Sequence, residues 1–350
     1  MKRRAFLKRA LGVSLGLPLA HLARALPLYG DERGPRNARV ADIPDNTWMN
    51  WNIKVPKEAG GWEVPWVYDP KNRIFVHYGG CTPRYTNEEW VFDLGAERWT
   101  QRYKYQPEGV KDRPGAACSR GMAFDSRRGV IWIYGGATPM SNQNLGLWFY
   151  DAAASRWTFV NHGPQRLEAN SMAYDSINDA LVTLGRGGPA RTWVFKIGEK
   201  RWLERRAGPQ GDHGYRTMTF DPEVGRIVYF TGNLGRAGET WTYDVKADAW
   251  SRMRGEGPPA RKYAGMTYDT KNKVHILFGG SGPGAWNSPP ADLYNDTWVY
   301  DAKADAWTEM KPVNAPGPSK EHMMFAYDSE HNVAVLAHYQ LGTWLYRYRR

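Results

Sequence analysis

The sequence predicts an all-β fold, a six-bladed propeller whose last blade is completed by its own N-terminal strand. Three observations lead there. An apolar–aromatic segment ending in aspartate recurs six times, at Asp69, Asp125, Asp175, Asp221, Asp269 and Asp328. Its spacings of 56, 50, 46, 48 and 59 residues are those of a propeller or solenoid repeat. The 350 residues also hold 17 Trp and 20 Tyr alongside 37 Gly and 23 Pro, a mixture that favours short strands and tight turns over helices. Finally, the sixth repeat stops after its third strand-like piece, Thr343-Trp344-Leu345-Tyr346, while an orphan strand-like piece stands upstream at Asn46 to Trp51.

Each repeat reads as four strands. The first is the segment ending in Asp, followed by a polar turn such as Asp69-Pro70-Lys71-Asn72, whose residue types suit tight turns. The second alternates and often ends in Gly-Gly, as in Ile131 to Gly136 and His275 to Gly280. A variable loop leads to the third, which carries an aromatic motif such as Thr240-Trp241-Thr242-Tyr243-Asp244. The fourth holds one tryptophan: Trp99, Trp157, Trp202, Trp250 and Trp307, with Trp48 supplying the sixth from the N-terminal strand. Such closure removes the exposed edges that an open ring would present. Residues recurring at equal blade positions are expected to be structural, the tryptophans packing blade on blade and the aspartates closing turns.

Composition bounds the rest. Charged residues make up 24% and hydrophobic ones 42%, which excludes a chain disordered by composition. No apolar run is long enough to span a membrane, so a membrane-spanning protein is not expected. The net charge is +11, but six of the 47 basic residues and no acid precede residue 26. What remains, 41 bases against 36 acids, is a mild +5 with no basic stripe and no nucleic-acid signature, so nucleic acid is not an expected partner.

Residues 1–25 read as an address. Arg3-Arg4-Ala5-Phe6-Leu7-Lys8 precedes a moderately apolar stretch and a small-x-small pattern at Ala23-Arg24-Ala25. The segment resembles a twin-arginine signal peptide, which implies export of a folded protein to the periplasm or beyond. Residues 26–45 would be a linker and 46–350 the propeller.

The Gly-Gly pairs at Gly79-Gly80, Gly135-Gly136 and Gly279-Gly280, the paired aromatic positions and Pro259-Ala260-Arg261 resemble kelch repeats over roughly residues 46–350. Blade three (Leu184-Gly185-Arg186-Gly187-Gly188) and blade six (Ala337-His338-Tyr339-Gln340) depart most from that pattern.

Function is expected in what does not repeat. The segments joining blades, and the loops between second and third strands, should share one face. Six residues before the turn aspartates stand Glu63, Ser119, Ala169, Tyr215, Tyr263 and His322; five before stand Val64, Arg120, Asn170, Arg216, Ala264 and Met323. Arg261 lies nearby, and the longest insertion adds Trp286. Arginine forks suit carboxylates or phosphates and aromatic rings suit sugars. Arg120, Asn170, Arg216, Tyr263, Arg261 and Trp286 are therefore expected to bind an anionic small molecule or glycan, or a protein segment.

An enzyme on an anionic sugar, acting by mutarotation, epimerisation or lyase-type proton abstraction, is the alternative, with a copper radical oxidase a more distant one. Kelch propellers include a sialic-acid mutarotase, and that likeness of architecture would make Tyr215, His322 and Glu63 the acid/base candidates beside carboxylate-holding arginines. They also include galactose oxidase, but its adjacent Tyr-His copper ligands have no match here, so no metal and no cofactor is expected. An accessory protein that docks on an envelope complex is the remaining class. Cys81 and Cys118, the only cysteines, should lie on one face of neighbouring blades and are candidates for a disulfide in an oxidising compartment.

Overall fold

The computed structural model describes residues 37–350, apart from residues 62, 82–83, 108–109, 139–144, 165–170, 186–189, 210–215, 233–237, 283–291 and 320. It contains six four-stranded antiparallel sheets. The inner strands are Trp66–Asp69, Gly121–Asp125, Met172–Asp175, Arg216–Asp221, Gly265–Asp269 and Met324–Asp328. Each of them packs beside the next, and the sixth packs beside the first, so the sheets form a closed ring. The fold class expected from the repeat is the fold observed.

Closure is made by the N-terminal strand, Thr47–Asn50, which pairs antiparallel with Gly342–Arg347 in the register Trp48 to Tyr346. Trp48 thereby occupies the place that Trp99, Trp157, Trp202, Trp250 and Trp307 hold in the other sheets. Each of these indoles stacks on the aromatic partner opposite it, with centroids 4.7–5.1 Å apart. Such pairs add about 0.5–1.5 kcal/mol apiece beyond their buried area.

Five of these six tryptophans also sew neighbouring blades together. The indole N–H of Trp157 donates to Glu89, Trp202 to Asn161, Trp250 to Thr192, Trp307 to Thr240 and Trp48 to Thr297, over 2.7–3.0 Å. In each case the acceptor belongs to the preceding blade. The repeated aspartates do turn work in all six blades. Their buried carboxylates accept the backbone N–H groups two and three residues on, at 2.8–3.3 Å.

The Gly-Gly pairs sit where a second strand meets the segment leading into the next blade. Gly79 has φ +77°, and a Cβ there would stand 2.9 Å from the Ala117 carbonyl. At Gly280, with φ +102°, the clash with the Lys262 carbonyl would be 2.5 Å. Only glycine tolerates both the conformation and the approach.

One boundary moves. Residues 37–45, read from sequence as part of a linker, are docked on the ring. They form a short 3₁₀ turn, Ala38–Asp42, that buries Val40 and Ile43. The buried Arg347 guanidinium donates to the Val40 carbonyl over 2.7 Å. Val40 and Ile43 stand among alanines, a proline and four polar or charged residues, so these two anchors were easy to pass over. Among the described residues, no helix is long and apolar enough to cross a membrane.

Candidate functional site in the central channel

The inner strands line a channel that the first residue of each repeat motif constricts. Trp66, Met122, Met172, Met218, Met266 and Phe325 occupy that level and border both a cavity on one side and a second on the other. Unbranched, polarizable methionine fills such irregular space well. On the face that receives the segments between blades, the cavity measures about 120 Å³ and is walled by Val64, Arg120, Ser171, Thr217, Ala264 and His322 above the constriction. On the opposite face lies a wider, mostly apolar cavity of about 300 Å³ lined by Tyr68, Phe124, Tyr174, Phe220, Tyr268 and Tyr327.

Arg120 dominates the first cavity. It is 2% exposed. Its Nη2 donates to the Gly115 carbonyl, and its guanidinium carbon lies 5.9 Å from the Tyr78 ring centroid. Among the described residues no carboxylate pairs with it, and its Nε and Nη1 have no hydrogen-bond partner. Burial pulls its pKa down to about 10, which still leaves it cationic at neutral pH. A buried, uncompensated cation is costly, and an anion in the cavity would offset that cost.

His322 and Ser171 contribute to the same wall. His322 packs edge-on against Tyr263, with ring centroids 6.0 Å apart. Its Nδ1 and the Ser171 hydroxyl also lack hydrogen-bond partners among the described residues. Burial drives the His322 pKa down to about 4, so at neutral pH the ring is uncharged, with one N–H donor and one acceptor nitrogen. The cavity thus offers one cation and several neutral hydrogen-bonding groups.

The other expected site residues divide. Arg261 is engaged within the fold. Its guanidinium grips the Asp296 carboxylate with two bonds of 2.5 and 2.8 Å, donates to the carbonyls of Gly279 and Pro259, and lies over the Tyr294 ring. Four of its five N–H donors are thereby used within the fold. Tyr263 is buried behind His322 and does not wall the cavity. Arg216 opens an inner strand, but its side chain, like Asn170, Tyr215 and Trp286, lies outside the described residues. Ser171 and Thr217 were missed; both stand four residues before a turn aspartate, one step past the positions weighed.

Glu63 leads to a second cluster. The Ser119 hydroxyl donates to its carboxylate, and the Glu63, Cys81 and Cys118 donor atoms all lie within 4.8 Å of one another. Both cysteines are present as thiols. The hydrogen bond with Cys81, then burial and the Glu63 charge, push the Cys118 thiol far up. Glu63, Ser119 and Tyr263, each six residues before a turn aspartate, share φ near +55–60°, so this left-handed step belongs to the repeat.

No protein-family model matches the chain. Over 297 residues it is 21% identical to the protein tag-53 of Caenorhabditis elegans, a stretch covering 75% of this chain and 22% of that protein. The chain therefore spans under a quarter of that relative's length.

Proposed function

We propose that this chain is an exported kelch-type propeller that binds a small anionic ligand, an acidic sugar by preference, in the mouth of its central channel. The observation that carries this reading is Arg120: a buried cation that borders the cavity, has no carboxylate partner among the described residues and keeps two buried donors without a hydrogen-bond partner there. A carboxylate in the cavity would be attracted by this charge and would accept charge-assisted bonds from the guanidinium once the side chain turns toward it. His322, Ser171 and Thr217 would meet neutral hydroxyls. The twin-arginine-like segment supports export, and replacing Arg3 and Arg4 together by Lys is expected to keep the chain in the cytoplasm.

Calorimetry with the full chain tests the binding reading. A hexuronic or sialic acid should bind, and the matching neutral sugar should not. Arg120→Met, which fills the space without charge, should remove binding of the acid. Equal binding of acidic and neutral sugars, or unchanged affinity in R120M, would place the site elsewhere.

The enzymatic alternative draws on His322, a neutral imidazole with an unfilled nitrogen on the same wall. Such a group suits proton transfer at a sugar ring oxygen. If the chain opens and closes the ring of an acidic sugar, NMR exchange between its anomers should quicken with wild type. It should fall to the uncatalysed rate with His322→Gln while binding persists.

A further inference from the structure

We propose that Glu63, Cys81 and Cys118 form a zinc(II) site at the seam between the first and second blades, with three protein donors and one open corner. Their Sγ and carboxylate oxygen atoms converge to within 4.8 Å of one another. Donors on a zinc tetrahedron stand about 3.4–3.8 Å apart, from bonds of about 2.3 Å to sulfur and 2.0–2.2 Å to oxygen. Side-chain adjustments of under about 1 Å would therefore seat the ion.

The frame around the donors is rigid. The Gly80 N–H donates to the Ala117 carbonyl over 3.1 Å, tying together the residues that immediately precede the two cysteines. Cys118 itself exchanges two backbone hydrogen bonds with Ala137, 3.1 and 2.9 Å long. Glu63 and Cys118 are buried, while Cys81 is partly exposed and gives an ion a way in. Ser119 supplies the outer support: its hydroxyl donates to the Glu63 carboxylate and stands 3.7 Å from the Cys118 sulfur. Orienting bonds of this kind hold a metal ligand in place.

The donor set selects the ion. Thiolates favour soft or borderline metals over magnesium or calcium. A carboxylate alongside two thiolates is a combination that zinc accepts. Three protein ligands and an open corner are the arrangement of catalytic rather than structural zinc. Binding releases the thiol protons to solvent and needs no change of oxidation state. A disulfide between the same sulfurs consumes both thiolates and excludes zinc.

Cobalt(II) and zinc(II) titrations of the reduced, metal-stripped full chain test the site. One equivalent of cobalt should produce a sulfur-to-cobalt charge-transfer band and the intense visible bands of a tetrahedral ion, and zinc should abolish both. Cys81→Ser and Cys118→Ser should each weaken the charge-transfer band. Glu63→Gln leaves both thiols in place, so it should keep that band but lose zinc to a chromogenic chelator at a concentration at least about 10-fold lower, the least that losing even an outer partner of a metal ligand costs. Absence of the band in a folded chain whose two thiols titrate with a thiol reagent would overturn the proposal. So would zinc uptake that survives both cysteine substitutions, or an exported chain two hydrogens lighter from a Cys81–Cys118 bridge.

Discussion

The Trp48 indole N–H donates to the Thr297 hydroxyl over 2.9 Å, joining the N-terminal strand to the fifth blade. The two residues are 249 positions apart, and both are fully buried. Trp48→Phe keeps most of the ring stacking and deletes the bond, leaving the Thr297 hydroxyl without its donor. A loss of about 1–2 kcal/mol in chemical denaturation is expected. Deleting residues 37–51 removes the strand, Val40 and Ile43 together, and should lower the melting midpoint far more. A midpoint equal to wild type would refute closure by this strand.

The turn aspartates should be costly to replace. Asp125 is buried and accepts from the backbone of Arg127 and Arg128, from the Arg128 side chain and from the Trp132 indole. Asp151 accepts the N–H groups of Ala153 and Ala154 at a more open turn. Asp125→Ala should cost about 2–4 kcal/mol, because buried donors lose their acceptor, and Asp151→Ala about 1 kcal/mol. Equal losses in urea denaturation would contradict this ranking.

Two groups should tilt the stability profile in opposite senses. His322 titrates near 6.5 when unfolded and is pushed to about 4 in the fold. Between those values the unfolded chain holds the extra proton, so stability is full above pH 6.5 and falls as pH drops toward 4, by about 3 kcal/mol. Glu89 is pushed by burial from 4.5 up to about 7. There the folded chain holds the extra proton, so this group's contribution declines as pH rises from 4.5 to 7. Denaturation from pH 4 to 8 should show His322→Gln losing acid sensitivity and Glu89→Gln losing the opposing slope. Variant curves parallel to wild type would contradict both assignments.

The propeller was legible because its signals recur. Six Asp turns and six Trp positions are each locally determined by strand and turn chemistry, so one misread blade would not have changed the architecture. The site was legible only in part, because side-chain fate there depends on distant partners. Arg120 and Arg261 look alike in sequence, both beside a lead-in to an inner strand. Asp296, 35 residues away in the variable insertion, claims Arg261, while no carboxylate reaches Arg120 among the described residues. Nothing at residue 63 advertises that its carboxylate meets Cys81 and Cys118, since that meeting depends on how two blades abut. Val40 and Ile43 escaped notice for a similar reason: two apolar residues make no periodic pattern.

The central claim is that Arg120 is a cation held ready for an anionic guest. Melting the wild-type chain and Arg120→Met, each with and without an acidic sugar, tests it most directly. Removing a buried, unpaired charge should leave the ligand-free variant at least as stable as wild type. The sugar acid should raise the melting midpoint of wild type only, by several degrees at concentrations well above its dissociation constant. A ligand-free variant that melts clearly lower, together with an equal ligand-induced rise in both proteins, would make Arg120 a structural residue and contradict the account.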